Sequence, residues 1–253
     1  MKITLLGTGT SQGVPVIACN CVVCKSNNIK DKRLRSSVLI ETSNNILVID
    51  AGTDFRQQML RENITKIDGV LITHEHKDHV GGLDDVRAFN YFQKRPVDVY
   101  ATVKVQNILK SDYFYAFEDV KYPGVPEINL HTIENIPFQI NNDLIIPIEA
   151  RHQRLQVFGF RIKDFTYITD ANFISDIELE KIKGSKVVII NALRKKLHLS
   201  HFNLEKAIEV LQIIKPEQSY LTHISHQLGL YEEVEKELPS FIKLAYDGLK
   251  ITI

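Results

Sequence analysis

Short runs of Val, Ile and Leu recur along the whole chain, each bounded by polar or turn-forming residues. They predict β-strands over residues 2–6, 37–41, 46–50, 69–73, 97–101, 144–149, 159–162, 166–169, 186–191, 219–222 and 249–253. The polar breaks SNN (43–45), NND (141–143) and KD (163–164) predict hairpin turns. Between the strands the apolar spacing changes to a helical period. Leu204, Ala207, Ile208, Leu211 and Ile214 line one face of a predicted helix, and Pro216 follows as a stop signal. Ser175 with Glu178 three residues on has the form of a capping box and predicts a helix start. Residues 53–60 and 84–92 are further predicted helices. Hairpins mixed with strand–helix units imply an α/β fold with mixed sheets, read as one domain over residues 1–253.

Composition narrows the function. The 31 basic and 31 acidic residues balance, so no global positive field gathers nucleic acid. No apolar run approaches the roughly 20 residues of a membrane span. The opening MKITLLGTGTSQG has too short an apolar stretch for a signal peptide and reads as a first strand, so the expected location is the cytoplasm. All three cysteines, Cys19, Cys21 and Cys24, lie in CNCVVC. An odd number packed so closely does not make a disulfide framework, and thiolate ligation of a metal is the better reading.

The densest chemistry is HEHKDH at 74–79, directly after a predicted strand. In an extended segment His74 and His76 point the same way. Asp78 and His79 follow once the chain turns, and Gly81–Gly82 allows that turn a close approach. Imidazole and carboxylate readily bind divalent metals, so the spacing presents two ligand pairs to two adjacent ions. GTGTSQG at 7–13 lacks the G-x-G-x-x-G spacing, and no helical pattern follows it; it reads as a turn shaping a pocket wall.

HEHKDH resembles the H-x-H-x-D-H signature of the metallo-β-lactamase superfamily, and the likeness runs over almost the whole chain. LLGTGTSQGVP is similar to its opening strand and loop, LVIDAG to the strand before its first helix. The resemblance implies an αββα sandwich, two mixed sheets flanked by helices. It also implies three further ligands, His152 in EARHQ, Asp170 in YITDAN and His223 in LTHISH. GVPVIACNCVVC, HVGGLDDVR and LTHISHQL resemble the PhnP-type phosphodiesterases, the branch near ribonuclease Z. In that branch the cysteines and a second C-terminal histidine hold a structural zinc, here Cys19, Cys21, Cys24 and His226. Thiolates with one imidazole suit closed tetrahedral zinc.

The mechanism so implied places one ion on His74, His76 and His152 and the other on Asp78, His79 and His223, bridged by Asp170. Ions about 3.5–4 Å apart would share a hydroxide and neutralise phosphoryl oxygens. Zn, Mn or Fe would fit these ligands. His201, in LSHFNLEKA, matches the family's general acid. Asp50 reads either as a carboxylate orienting a ligating histidine or as a cap before the next helix. Arg35 and Arg87 are candidates for holding phosphate. His131 and His198 carry no assignment. The expected substrate is a small phosphate diester, cyclic ones such as 5-phosphoribosyl 1,2-cyclic phosphate included. The second expectation is a ribonuclease Z-like tRNA 3′-processing enzyme, disfavoured because residues 97–170 hold no basic, Gly-rich insertion; the third is a lactone or thioester hydrolase. Related enzymes imply a homodimer.

Overall fold

Alternation along each strand decides the layers. Val38 and Ile40, Leu47 and Ile49 face one cluster, while Leu39 and Val48 between them face another. Phe165 and Tyr167 join the first cluster from the other sheet, and Ile168 turns away from it. Two-sided burial of this kind needs a layer on each face of each sheet. The computed structural model describes residues 1–120 and 122–253 and contains these layers.

The strands are β1 (Lys2–Gly7), β2 (Ser37–Glu41), β3 (Ile46–Ile49), β4 (Gly69–Leu71), β5 (Val97–Ala101), β6 (Ile128–Thr132), β7 (Phe138–Ile140), β8 (Asp143–His152), β9 (Leu155–Ile162), β10 (Phe165–Ile168), β11 (Phe173–Ile174), β12 (Val187–Asn191), β13 (Gln218–Thr222), β14 (Ile242–Leu244) and β15 (Lys250–Thr252). One sheet runs β15-β1-β2-β3-β4-β5-β6, the other β11-β8-β9-β10-β12-β13-β14 with β7 beside β8. The hairpins β2–β3, β7–β8 and β9–β10 turn at the predicted polar breaks. From β3 to β6, and from β10 through β12 and β13 to β14, neighbours are parallel. Parallel strands leave their carboxyl ends at one edge, where open α/β sheets place ligands.

Helices Phe55–Arg61, Arg87–Gln93 and Val103–Asp112 cover the first sheet; Asp176–Ile182 and Leu204–Ile214 cover the second. The 204–214 helix buries Leu204, Ala207, Leu211 and Ile214, the predicted stripe, and Asn203 Oδ1 caps it by accepting from Lys206 N. Ile208 is only partly buried. At Ser175 the capping box is half realised. Ser175 Oγ accepts from Glu178 N, but the Glu178 carboxylate turns away to accept from Glu149 N and Asn135 Nδ2 and to pair with Lys181. Among the described residues no helix is long and apolar enough to cross a membrane.

Ile189 sits fully buried between the sheets. Ile189→Ala should cost about 2–5 kcal/mol, read as a lower urea midpoint with unchanged slope. A loss below about 1 kcal/mol would contradict the inter-sheet packing.

Candidate metal centre

The 74–79 segment owes its shape to backbone contacts. His76 is the last extended residue; its carbonyl accepts from His79 N and Val80 N and starts the short helix Lys77–Val80. His74 Nε2 and His76 Nδ1 lie 3.0 Å apart. The chain after β3 packs directly on this turn, with Ala51 N donating to His79 O and Gly82 N to Ala51 O, each at 2.8 Å. A Cβ at Gly52 would sit 1.8 Å from the Asp78 carbonyl oxygen, and one at Gly82 would sit 2.0 Å from the Gly52 carbonyl oxygen. Only glycine permits that approach.

Asp50 lies under the turn with no solvent exposure. Its carboxylate accepts from Thr73 N and Thr73 Oγ1, both at 2.9 Å, and from His79 Nδ1 at 2.7 Å. Thr73 Oγ1 donates to Asp50 and so accepts from His74 Nδ1, 2.9 Å away. His152 Nδ1 donates to Ser200 O at 2.7 Å. These bonds leave Nε2 of His74, His79 and His152 free of a proton when the rings are neutral, and so able to bind a metal. Asp50 therefore orients histidines; it caps no helix.

The other donors come from the ends of β8, β10 and β13. Asp170 Oδ2 is 3.1 Å from His79 Nε2 and 3.2 Å from His223 Nδ1, and Asp170 Oδ1 is 3.6 Å from His201 Nδ1. Asp78 Oδ2 is 3.1 Å from His79 Nε2. Thr10, in the Gly-rich turn, sets its hydroxyl 3.3 Å from His223 Nε2 and so forms the pocket wall predicted for that turn. Donor atoms of Asp78, His79 and His223 lie within 4.8 Å of one another, as do those of His74, His79 and Asp170, and of His152, Asp170 and His201. His76 joins through His74, its ring centroid 5.3 Å from that of His152. Every residue of the predicted dinuclear set thus converges on one volume.

The electrostatics fit cations. Burial opposes charge on Asp78 and Asp170, yet neighbouring imidazoles hold both carboxyls below their ordinary range. Burial also opposes the His79 imidazolium, but Asp78, Asp170 and Asp50 outweigh it and raise that group. His79 Nε2 and His201 Nδ1 are buried without a hydrogen-bond partner among the described residues. Orphaned buried polar atoms cost about 1–3 kcal/mol each, and a coordinated divalent cation would satisfy such a donor set. Asp50, Asp170 and His223 all have φ between 53° and 64°, in the left-handed region, which suits a site held by its surroundings.

The cysteines form a second cluster. The Sγ atoms of Cys19, Cys21 and Cys24 lie 3.2, 3.3 and 3.5 Å from His226 Nδ1. Tetrahedral zinc with ordinary bond lengths would separate such donors by about 3.6 Å, so the four fit one ion. The Cys24 N–H and then the other partners lower the Cys21 thiol to about 6, while burial raises Cys24 to about 11. The contacts pin residues 14–26 beside the segment after β13.

Both arginines named for phosphate already have partners. Arg35 is held by Asp54 and Ser11 O, Arg87 by Asp84. His131 pairs with Asp98 and stacks on Tyr100. Two supports escaped sequence reasoning. Asn191 clamps the chain after Asp170 through both its amide atoms and Ala171, and Ser200 supplies only a carbonyl. An Asn ending a buried strand is the one available signal.

Residues 44–224 match the Beta-lactamase superfamily domain, and the chain belongs to that family. A solved structure described as a new diphosphatase from the PhnP family has a TM-score of 0.93 and 36% identity, covering 100% of this chain and 97% of that one. An octanoyltransferase of Porphyromonas gingivalis is 40% identical over 256 residues, 100% of this chain and 52% of that protein. A ribonuclease Z of Limosilactobacillus reuteri is 27% identical over 194 residues, 74% of this chain and 55% of that enzyme. The chain spans about half the length of these two relatives. Fold and family together place the chain in the metallo-β-lactamase fold class.

Gly52→Ala should cost about 1–3 kcal/mol, because the Asp78 turn must move; it should also lower bound metal measured by plasma emission. Wild-type stability and metal content together would contradict the close approach.

Proposed function

We propose that the protein is a dinuclear metal-dependent phosphodiesterase acting on small phosphate diesters, cyclic ones included. The observation that carries this reading is the convergence of His74, Asp78, His79, His152, Asp170 and His223 on one volume, with His76 against His74 and His201 at the edge. His74, His76 and His152 would hold one divalent ion, Asp78, His79 and His223 the other, and Asp170 both. Bound cations would supply Lewis acidity toward phosphoryl oxygens and a nucleophile at neutral pH. The protein's own groups do the rest. Asp50, Thr73 and Ser200 O hold the imidazoles in the ligating tautomer. His201, 3.6 Å from Asp170 Oδ1, would give the leaving oxygen its proton. Burial first, then His223, lower His201 to about 3, while Asp170 pulls the other way. As general acid His201 would carry its proton at the moment of reaction, with Asp170 and the anionic diester holding it against that shift. Cys19, Cys21, Cys24 and His226 would hold a structural zinc.

A second reading has its own support. The full-length likeness to a PhnP-family diphosphatase favours a diphosphate linkage, which the same donors would serve. Ribonuclease Z activity has less support. The segment from β5 to β10 is taken up by helix Val103–Asp112, the short helix Phe114–Phe117 and paired strands, with no basic, Gly-rich projection among the described residues. The octanoyltransferase name belongs to a protein of which this chain matches half, so its acyl chemistry enters only as a control.

Metal-loaded protein should hydrolyse bis(p-nitrophenyl) phosphate or a dinucleoside diphosphate and leave precursor tRNA and octanoyl-CoA intact. Asp78→Ala combined with His79→Ala should lower kcat/KM at least ~10³-fold, about 4 kcal/mol. Retained activity in that variant would refute the dinuclear reading; precursor cleavage at the tRNA 3′ end would restore the ribonuclease.

Cys21→Ser should lose zinc 10–100-fold more readily, about 1.4–2.8 kcal/mol, and melt several degrees lower. Wild-type melting would remove the structural role given to the thiols.

A further inference from the structure

The loop before β2 holds a C-x-x-C pair, Cys21 and Cys24, within its three cysteines. Cys21 precedes the short helix Val22–Lys25, and Cys24 lies inside it. Cys24 N donates to Cys21 Sγ and Val16 N to Cys24 Sγ, each at 3.4 Å. Donor atoms of the three cysteines and His226 lie within 4.8 Å of one another. Exposure separates the thiols. Cys21 is half-buried, Cys24 is buried, and Val22 between them is exposed. A reagent in solvent therefore meets Cys21 first, with Cys24 in reach of it. An accessible thiolate with a resolving partner is the arrangement in which oxidation stops at a disulfide.

The same cluster is tied to the metal centre by a short piece of chain. His226 faces the thiols, and His223, three positions earlier, faces Asp170. Between them Ile224 N donates to Thr8 O at 2.9 Å, and Thr10 N donates to Ile224 O at 3.1 Å. Thr10 Oγ1 is 3.3 Å from His223 Nε2. Both pieces of this pairing continue into the cluster, one to Cys19 and the other to His226. An ion at the thiols thus anchors the two chains that flank the His223 ring.

We propose that Cys21 and Cys24 form a peroxide-sensitive modification site whose oxidation expels the zinc and loosens the segment bearing His223. Such a switch rests on the zinc reading of the cluster and is independent of the substrate. In the first step the Cys21 thiolate attacks a peroxide oxygen, giving a sulfenic acid and hydroxide. In the second the Cys24 thiolate attacks the Cys21 sulfur and displaces its oxygen as hydroxide. Two thiolates are oxidised, one S–S bond forms, and one hydrogen peroxide leaves as two hydroxides, which solvent protonates to water. Cys19 and His226 then remain, too few to hold a four-coordinate ion. A dithiol reductant reverses the bond.

The test uses the full chain loaded with Zn²⁺ at the thiols and Mn²⁺ at the dinuclear centre, treated with a modest excess of hydrogen peroxide and desalted. Zinc is counted by plasma emission, the bond is located by alkylation and peptide mapping, and Mn²⁺ affinity is read by equilibrium dialysis. The wild type should lose most of its zinc, with Cys19 alkylated and Cys21 joined to Cys24. Its Mn²⁺ affinity should fall by about tenfold, as when a support around a metal ligand is lost. Dithiothreitol with added zinc should restore both. Cys19→Ser should still form the bond, and Cys24→Ser should not. Zinc retained under peroxide, a bond made through Cys19, or unchanged Mn²⁺ affinity after zinc loss would overturn the assignment. Protein that never holds zinc at the thiols would overturn it together with the zinc reading.

Discussion

The Asp50 carboxylate joins three pieces of chain that the rest of the site stands on. It is fully buried and accepts from the backbone and side chain of Thr73 at the end of β4 and from His79 in the helical turn. Burial alone raises its pKa, and the three donors work against that rise. Removing one partner of such a network leaves a buried charge or a buried orphan donor, each costly. The network also settles proton positions. With Nδ1 of both His74 and His79 engaged, the two Nε2 atoms face the same volume. The 74–79 turn is thus a donor array because of a residue more than twenty positions upstream.

The sandwich makes this possible by bringing carboxyl ends together. β3 and β4 deliver Asp50 and the 74–79 turn from the first sheet; β8, β10 and β13 deliver His152, Asp170 and His223 from the second. The inter-sheet core fixes the distance between the two edges, because its large side chains cannot be compressed. Left-handed backbone at Asp50, Asp170 and His223 turns each chain sharply off its strand. Such conformations persist where surrounding contacts over-determine them, and here the Asn191 clamp on Ala171 and the Gly52 contact with Asp78 supply those contacts.

Much of this was legible in sequence, and the parts that were not share a cause. Strands buried on both faces, such as β2, β3 and β12, show unbroken apolar runs. The edge strands β6, β11 and β14 are short or half exposed and carry little pattern. Helix Val103–Asp112 hides behind its β-branched valines, and its buried stripe includes Gln106, a polar residue satisfied by Ala101 O and Thr132. In the site, HEHKDH announces itself by density. A lone Asp50 before a helix reads equally well as a cap, and only the folded contacts decide. The partners of Arg35 and Arg87, Asp54 and Asp84, are likewise visible only in the fold. Ser200 acts through a carbonyl, which no side-chain pattern can reveal.

If distant loops enclose two divalent ions within one donor set, the ions themselves can be located. Anomalous diffraction from crystals grown with Zn²⁺ or Mn²⁺ tests it most directly. Two peaks are expected in the volume bounded by His74, His76, Asp78, His79, His152, Asp170 and His223, with a separate zinc peak among Cys19, Cys21, Cys24 and His226. Well-diffracting crystals with ample metal and no peak beside Asp170 would contradict it.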